Sequence, residues 1–256
     1  MSRVAVVTGA GGGIGRSIAE AFAAGGDTVV LAARRVPELE ETARMVEEQG
    51  GRALVVPTDV TDPESVTELA ARVEDELGRI DVVVNNSGVG GPTAPLWEVE
   101  PDDWDATFAV NVRGVYLVSG AFLPAMIEAG SGSVIVIGSI SGKRPLGGRS
   151  AYTTSKMALV GLVRTLALEA GPHGIRVNLI SPGFVEGPRI DWVIAHQAQA
   201  RAMSEEDVRR EMESLSPLGR LTRAADVASA SVYLASEQAR GITGADLNVN
   251  SGVVMY

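Results

Sequence analysis

The sequence of 256 residues predicts an α/β fold, in which helices cover both faces of a doubly wound parallel sheet. Short β-branched runs alternate with helical stretches along the chain. These runs are continuously apolar, as expected of strands that are buried on both faces. A glycine cluster follows the first run directly, which is typical of a Rossmann-like dinucleotide-binding fold. Neither a linker nor an internal repeat is visible, so we expect residues 1–256 to form a single domain.

The apolar runs and the stretches between them give the order of elements. The predicted strands are Val4–Thr8, Val29–Ala33, Ala53–Val56, Val82–Asn85, Val134–Ser139, Arg176–Ser181 and Ala245–Val249. The clearest helical patterns are Gly15–Gly25, Glu38–Gln49 and Pro63–Leu77. The third has a well-marked start, because Asp62 is a good N-cap and Pro63 suits the first helical position.

One segment breaks the alternation. Between Pro182 and Leu221 the sequence predicts two helical pieces and no strand. The second piece begins at Ser204-Glu205-Glu206-Asp207, a variant of the capping box. Ligands bind at the carboxyl ends of strands in open α/β sheets, so we expect residues 183–220 to form a substrate lid. The alternative is a surface decoration without function.

Composition excludes several classes of protein. With 45% hydrophobic and 21% charged residues, the chain has the balance of a globular domain with a full-sized core. It has no cysteine, which excludes disulfides and thiolate metal sites. A net charge of -10 argues against nucleic-acid binding. No apolar run approaches the ~20 residues of a membrane-spanning helix, and no signal-peptide pattern is present. We therefore expect a cytoplasmic protein without nucleic-acid or membrane partners.

The glycine cluster predicts a phosphate site. Gly9, Gly13 and Gly15 lie between the first strand and the first helix, where exposed amides and the helix dipole favour a pyrophosphate. Their spacing is G-x-x-x-G-x-G rather than the commoner G-x-G-x-x-G. A strand–helix turn can also use glycine for packing alone.

The end of the second strand bears on the cofactor. A carboxylate there would favour NAD, whereas arginine suits the 2′-phosphate of NADP. Ala33 is followed by Arg34 and Arg35, which favours NADP, with NAD as the alternative if both arginines are simply solvated.

Tyr152 and Lys156 are spaced to lie on one face of a helix. Tyrosine has an ordinary pKa of about 10, and a neighbouring lysine lowers it by stabilising the phenolate. The pair can therefore act as a general acid and base for interconversion of an alcohol and a carbonyl. Ser139, at the end of a buried strand, could hydrogen-bond the substrate oxygen.

Further motifs extend over essentially the whole chain. They are Thr8–Gly15 as T-G-x-x-x-G-x-G, Asp59-Val60, Asn85-Asn86-Ser87-Gly88, Asn111, Ser139, Tyr152-x-x-x-Lys156 and Pro182-Gly183. In this order and at these separations, the sequence closely resembles the short-chain dehydrogenase/reductase family.

This resemblance implies a role for each matching residue. Tyr152 would be the acid/base, Ser139 would orient and polarise the substrate oxygen, and Lys156 would bind the nicotinamide ribose. Asn111 would position a water that links Lys156 to solvent. Hydride would pass between nicotinamide C4 and the substrate carbon without a metal. The cofactor contacts implied or predicted are Gly9, Gly13, Ile14, Gly15, Arg34, Arg35, Asp59, Val60, Asn86, Gly88, Tyr152, Lys156, Pro182, Gly183 and Val185.

Four departures from the family pattern stand out. Ser87 replaces alanine in the N-N-A-G turn, and Gly187 stands where many members have a threonine that binds the carboxamide. Gly11 and Gly12 occupy positions at which many NADP-preferring members carry a basic residue. The triplet Asn250-Ser251-Gly252 replaces an acidic D-G-G, for which the sequence suggests no function.

Three segments should surround the reacting carbon: Val89–Trp97, Ile140–Arg149 and Phe184–Ile194. They supply apolar candidates for the substrate pocket, namely Trp97, Leu146, Phe184, Ile190 and Trp192, and basic ones, namely Lys143, Arg144 and Arg149. Apolar walls suit an apolar alcohol or ketone, whereas the basic residues could attract a carboxylate or phosphate unless they are solvated. His173 and His196 are not spaced as a metal pair, and we predict no metal site.

The leading hypothesis is an NADP-preferring oxidoreductase that interconverts a secondary alcohol and a ketone. The alternative is a catalytically weak NADP(H)-binding regulatory protein. A sugar-nucleotide epimerase shares the Y-x-x-x-K pair, but such chains are typically longer. By resemblance we expect a homotetramer or homodimer, in which the helix after Asp102 and the Tyr152 helix pair across subunits.

Overall fold

The computed structural model describes residues 2–256. Its seven strands form one parallel sheet in the order β3-β2-β1-β4-β5-β6-β7. The strands are β1 Val4–Thr8, β2 Thr28–Ala33, β3 Arg52–Pro57, β4 Val82–Asn85, β5 Gly132–Ile137, β6 Ile175–Pro182 and β7 Asp246–Val249. The helices are α1 Gly13–Ala24, α2 Val36–Glu48, α3 Pro63–Leu77, α4 Pro101–Phe108, α5 Gly114–Ala129, α6 Ser150–Ala170, α7 Pro188–Arg201, α8 Glu205–Ser214 and α9 Ala224–Leu234. The predicted doubly wound α/β fold is confirmed.

The sheet separates two hydrophobic cores. Val4 and Val6 point into one core, which α3, α5 and α6 cover, whereas Ala5 and Val7 point into the other, beneath α1, α2 and α9. Successive side chains of a strand point to opposite faces, so a strand between two cores must be apolar at every position. This accounts for the continuous apolar runs in the sequence.

The predicted boundaries differ from the observed ones by at most two residues. β5 ends at Ile137, two residues earlier than predicted, because Ser139 leaves the sheet and caps the short 3₁₀ turn Ile140–Gly142. Its hydroxyl oxygen accepts a 3.1 Å hydrogen bond from the N–H of Ser141. Asp62 caps α3 as predicted, by accepting a 3.0 Å hydrogen bond from the N–H of Glu64.

The strand order reverses between β1 and β4, and this creates a crevice at their carboxyl ends. Thr8 ties these two ends together. Its hydroxyl accepts hydrogen bonds of 3.0 Å from the N–H groups of Asn86 and Ser87. The glycine turn after β1 and the Asn86 turn after β4 therefore face the same crevice.

Residues 183–220 contain α7 and α8, as predicted, and these helices have a small core of their own. Its buried members are Ile190, Ile194, Ala198, Val208, Met212 and Leu221. Ser204 caps α8, since its hydroxyl accepts a 3.0 Å hydrogen bond from the N–H of Asp207 and donates one to the Asp207 carboxylate. These two helices therefore pack on each other rather than deep in the two main cores.

One helical segment, Pro101–Ala129, is long and apolar enough to cross a membrane by length and composition. This observation is weak, because core helices often have the same property. The buried side chains Val115, Val118, Phe122 and Met126 of α5 belong to the core beside the sheet, which accounts for the apolar composition.

Candidate active site

Tyr152 and Lys156 lie one turn apart on α6, and both are buried. The ammonium nitrogen of Lys156 is 6.0 Å from the centroid of the Tyr152 ring. It donates a 2.8 Å hydrogen bond to the carbonyl oxygen of Ile137, at the end of β5. An ammonium group has three N–H donors, so two remain for a ligand.

The surroundings of Tyr152 favour its phenolate form. Burial raises the pKa of its hydroxyl, but the positive charges of Lys156 and Arg189, the Ser139 hydroxyl and the charge of Arg149 outweigh it. The resulting pKa lies below the ordinary value of 10.0. Burial also lowers the pKa of Lys156. Tyr152 can therefore exchange a proton closer to neutral pH than an isolated tyrosine.

Asn111 is buried in a π-helical turn, Ala109–Arg113, between α4 and α5. Its side-chain oxygen accepts a 2.8 Å hydrogen bond from the N–H of Val89, and its amide nitrogen donates to the Val89 carbonyl and the Ser155 hydroxyl, each at 3.0 Å. The side chain thus holds the loop after β4. Both amide N–H donors of the side chain are used, and π-helical turns are common at functional sites.

Ser155 is a site residue that the sequence reasoning missed. It is fully buried, and its hydroxyl donates a 2.8 Å hydrogen bond to the Tyr152 carbonyl while accepting the bond from Asn111. It therefore connects the π-helical turn to α6. Its position directly before Lys156 was the available signal.

The glycines of the turn after β1 are of two kinds: some are required by packing, and one has open space beside it. A methyl group at Gly15 would lie 2.2 Å from the Gly9 oxygen, and one at Gly9 would lie 2.9 Å from the Asn86 amide nitrogen. Gly13, by contrast, has φ +54 and open space where a side chain would be. Packing therefore explains Gly9 and Gly15, whereas the left-handed backbone explains Gly13, and the open space beside Gly13 leaves room for a ligand.

The first turn of α1 is suited to a phosphate. The N-cap residue Gly12 offers no side-chain hydrogen bond, and no acidic residue occupies the first turn. The amides from Gly13 onward, including those of Ile14 and Gly15, are therefore left for an anion, which the helix dipole also favours. These residues fit a dinucleotide diphosphate.

Asn86 supports this turn. Its side-chain nitrogen donates a 2.9 Å hydrogen bond to the Thr8 carbonyl oxygen. The neighbouring Gly88 lies beside the catalytic group, since a methyl group there would be 3.4 Å from both the Lys156 nitrogen and the Asn111 side-chain oxygen. The Asn85–Gly88 motif thus contacts the glycine turn through Asn86 and the Lys156 side chain through Gly88.

Arg34 and Arg35, which follow β2, differ in whether they form an ion pair. Arg35 forms a 2.8 Å ion pair with Glu38. Arg34 is exposed and forms no ion pair with any residue from 2 to 256. A hydrogen bond from the Thr61 backbone, together with the charge of Arg34, lowers the pKa of the partly buried Asp59. Arg34 and Asp59 therefore flank the place where an adenosine ribose would lie.

Arg16, another basic residue near the glycine turn, is held by its neighbours. Its guanidinium donates to the Gly11 carbonyl at 2.9 Å and pairs with Glu41 at 2.6 Å. Val60 is buried and packs against Gly114, where a methyl group would lie 2.9 Å from its side chain.

The chain after β6 forms a short parallel bridge between Val185 and Thr222. Phe184 accepts a hydrogen bond from the Thr222 N–H, and Glu186 donates one to the Thr222 carbonyl, both at 2.9 Å. Val185, between them, keeps its own N–H and C=O for another partner, as a carboxamide contact requires. Pro182 and Gly183 lead into this segment, and a methyl group at Gly183 would lie 2.8 Å from the Asn250 Cα.

Two departures from the family pattern now have a structural explanation. Gly187 has φ +134, which a threonine rarely adopts, so the threonine contact with a carboxamide is absent. Asn250 is buried, and its side chain closes the C-terminal turn by accepting from the Gly252 N–H at 2.9 Å and donating to the Val254 carbonyl at 3.0 Å. Its role is structural.

A cavity of about 450 Å³ lies beside this turn. It is lined by Leu218, Arg220, Thr222, Asp226 and residues 248–252, 254 and 255. None of the catalytic residues lines it, so volume alone does not locate the chemistry here.

Several residues expected to line the substrate pocket are exposed or make other contacts. Trp97 is 85% exposed, and Trp192 is 55% exposed and lies on His196 with ring centroids 3.8 Å apart. Ile190 is buried in the lid core. Lys143 is bound to Asp246 at 2.9 Å and to Asn248 at 2.6 Å, and so fixes the turn after β5 to β7. Long-range packing, which the sequence does not display, decides each of these positions.

Two arginines do face the catalytic tyrosine. The guanidinium carbons of Arg149 and Arg189 each lie 5.2 Å from the Tyr152 ring centroid. Arg149 was one of the basic candidates, whereas Arg189 was missed. Its only signal was its place in Phe184–Ile194, because the orientation of α7 depends on packing against α8.

Comparison with known proteins identifies this arrangement. The family model described as enoyl-(acyl carrier protein) reductase matches residues 9–254. The chain belongs to the short-chain dehydrogenase/reductase family. It is 38% identical to cis-4-hydroxycyclohexanecarboxylate dehydrogenase of Sinomonas cyclohexanicum, over 98% of this chain and 96% of the relative.

Two solved structures of similar proteins carry nicotinamide cofactors. A single-site variant of actinorhodin polyketide ketoreductase, solved with NADPH, has a TM-score of 0.95 and 33% identity, over 100% of this chain and 98% of that one. NAD+-bound xylitol dehydrogenase has a TM-score of 0.93 and 30% identity over 98% of each chain. The short-chain dehydrogenase/reductase described here is accordingly an oxidoreductase that uses a nicotinamide cofactor.

Proposed function

We propose that this enzyme interconverts a secondary alcohol and a ketone and prefers NADP to NAD. The observation that carries the chemical part is the buried Tyr152–Lys156 pair, next to Ser139 and to the Asn111 turn. The cofactor preference is supported by Arg34, which forms no ion pair with any residue from 2 to 256. Its position after β2 is the one at which a 2′-phosphate would lie.

The side chains would divide the work as follows. In alcohol oxidation, the Tyr152 phenolate accepts the hydroxyl proton while the carbon–hydrogen bond breaks and the carbonyl forms. When bound, the oxidised nicotinamide would supply the acceptor for the hydride that leaves this carbon. Ser139 donates a hydrogen bond to the reacting oxygen, and the charge of Lys156 favours the ionised form of Tyr152. Reduction follows the same path in reverse, with Tyr152 as the acid.

Cofactor contacts follow from the same geometry. The diphosphate would lie on the amides of Gly13, Ile14 and Gly15, and the adenosine between Arg34 and Asp59. Lys156 would bind the nicotinamide ribose through its two remaining donors, and the main chain of Val185 would bind the carboxamide.

We also propose that residues 183–220 act as a substrate lid within a single domain that spans residues 1–256. Their separate core supports this role, because helices that pack mainly on each other can move as a unit over the end of the sheet. The substrate would be a small alcohol or carbonyl compound in the cytoplasm, with no nucleic acid or membrane involved.

Exposed apolar side chains on α5 and α6 support a homotetramer or homodimer. Leu168 is 80% exposed and Tyr116 is 62% exposed, while Val160, Leu162 and Leu166 of α6 are only partly buried. Large apolar side chains at a surface commonly mark an interface. Light scattering should give a mass of two or four chains, and a monomer at assay concentration would exclude the assembly.

Activity with a panel of ketones and secondary alcohols tests the proposed reaction. Each compound is assayed with NADPH or NADH, or with the oxidised forms, by following absorbance of the reduced nicotinamide. We expect turnover that is faster with the phosphorylated cofactor. Tight cofactor binding without turnover across the panel would favour a regulatory protein instead.

A further inference from the structure

Arg149 and Arg189 converge on one point beside the catalytic tyrosine. Their guanidinium carbons are each 5.2 Å from the Tyr152 ring centroid. A methyl group built on Gly90 would lie 3.1 Å from an Nη2 nitrogen of both arginines. Two cations from different loops thus meet over the ring that carries the acid/base hydroxyl.

Neither cation has a carboxylate partner in the described part of the chain. Of the ion pairs formed between residues 2 and 256, none includes Arg149 or Arg189. Other basic residues are paired, such as Lys143 with Asp246 and Arg209 with Asp191. The pKa of Arg149 is lowered by burial and by the charge of Arg189, and the Tyr152 phenolate opposes this shift.

Arg149 is fixed in place by the neighbouring loop. It donates 2.7 Å hydrogen bonds to the Thr93 hydroxyl and to the Gly90 carbonyl. A guanidinium has five N–H donors, so Arg149 keeps several for a ligand. Arg189, at the start of α7 on the lid, is exposed. Arg149 is therefore held in position before a ligand binds, whereas Arg189 would move with the segment proposed as the lid.

We propose that Arg149 and Arg189 together bind an oxyanion of the substrate, such as a carboxylate, sulfonate or phosphate. The proposal rests on the proposed function, since the reacting carbon must lie at Tyr152. Guanidinium groups bind such anions through paired N–H donors, and an anion between the two would remove their mutual repulsion. The substrate class is then a compact hydroxy acid or keto acid, with a short spacer between its charged end and the reacting carbon.

A phosphate of the cofactor is the competing occupant of Arg189. The diphosphate already has a site at the first turn of α1, which offers free amides without a side-chain cap. Arg149 is held to the loop after β4 through Thr93 and Gly90, within the segment Val89–Trp97 that the sequence predicts to surround the reacting carbon. The observations therefore favour the substrate, and the cofactor becomes an outcome of the test.

Steady-state kinetics on matched substrates tests this proposal. Secondary hydroxy acids with spacers of increasing length are tested, and each acid is compared with its own primary amide. For the best spacer, the corresponding sulfonate and phosphate are also tested, to show which type of anion the enzyme prefers. The variants are Arg189→Gln and Arg149→Gln. Their controls are Arg209→Gln and Arg201→Gln, on the same segment but paired with Asp191 and Glu211 respectively.

We expect the acid to react faster than its amide in the unmodified enzyme. Each of Arg189→Gln and Arg149→Gln should lower kcat/KM for the acid roughly 10- to 100-fold, mainly through KM, as for loss of a charged hydrogen-bonded contact. The amide should lose much less kcat/KM than the acid, because only the effect of the arginine charge on Tyr152 remains. The cofactor KM and both controls should change little. Because Arg149 also holds a loop, the thermal stability of Arg149→Gln is measured together with its kinetics. If Arg149→Gln is unstable, the kinetics of Arg189→Gln alone decide the test.

Two results would overturn the proposal. The first is that acids react no faster than their amides, or do not react at all, in an enzyme that still turns over neutral ketones. The second is a loss in Arg189→Gln that lies in the cofactor KM. Either leaves the oxidoreductase assignment standing, whereas failure of that assignment would appear as absence of turnover for acids, amides and neutral ketones alike.

Discussion

The ammonium group of Lys156 donates a 2.8 Å hydrogen bond to the carbonyl oxygen of Ile137, the last residue of β5. This bond fixes a buried cation against the end of a central strand and beside the Tyr152 ring. The position of the charge therefore depends on the sheet as well as on the helix that carries it. An i, i+4 pair on a helix surface has no such anchor, and this separates the pair from ordinary Y-x-x-x-K spacings.

The pH dependence of alcohol oxidation should reflect this arrangement. Oxidation needs the Tyr152 phenolate, so kcat/KM for a neutral alcohol should rise with pH and level off below the ordinary tyrosine pKa of 10.0. Removing a cation destabilises the phenolate and raises that pKa. The profile of Lys156→Met and, with less loss of rate, that of Arg189→Gln should therefore shift to higher pH. An unshifted profile in both variants, or an equal shift in Arg209→Gln, would contradict the electrostatic account.

Ser155→Ala should weaken the connection between the π-helical turn and α6. It removes the hydroxyl that bridges the Asn111 amide and the Tyr152 carbonyl inside the core. Loss of a buried hydrogen bond costs about 1–3 kcal/mol, which urea unfolding can measure. Thr154→Ala, at the adjacent exposed position, is the control. Equal stability of the two variants would show that the bridge contributes nothing.

Arg34→Ala should reduce the preference for NADP. The change removes the cation that would face the 2′-phosphate, so kcat/KM for NADP should fall roughly 10- to 100-fold while that for NAD stays nearly constant. Arg35→Ala is the matched control, because Arg35 is paired with Glu38. Parallel losses with both cofactors would instead assign Arg34 a structural role.

Gly15→Ala should disturb the turn between β1 and α1. The added methyl group would lie 2.2 Å from the Gly9 oxygen, and overpacking of this kind typically costs about 1–3 kcal/mol. Gly12→Ala places its methyl group in open space at an extended backbone, so its thermal stability should match that of the unmodified enzyme. Calorimetry on both variants would show whether packing explains Gly15. A stable Gly15→Ala would refute that explanation.

Features that depend on local pattern could be predicted from the sequence. The strand bounds around Val4–Thr8 and Val82–Asn85 agree with the structure, because burial on both faces makes such runs apolar throughout. The glycine turn and the Tyr152–Lys156 spacing could be inferred in the same way. In each case neighbouring residues along the chain determine the geometry.

Features that depend on distant contacts could not be predicted. Arg189 reaches Tyr152 because the core between α7 and α8 orients its helix. Lys143 is held against β7 because it forms an ion pair with Asp246, which lies more than a hundred residues later in the chain. Asn250 acquires its role through the turn that ends at Val254. Nothing in the spacing of these residues shows which of them will meet.

The central claim is that Tyr152 carries the proton in an oxidoreductase reaction, and Tyr152→Phe tests it most directly. Phenylalanine fills the same buried space and removes only the hydroxyl, so the fold and the affinity for NADPH, measured by its fluorescence on binding, should be unchanged. Turnover of the best alcohol or ketone should fall roughly 10²- to 10⁴-fold, the usual contribution of a general acid/base. Turnover close to that of the unmodified enzyme would contradict the account.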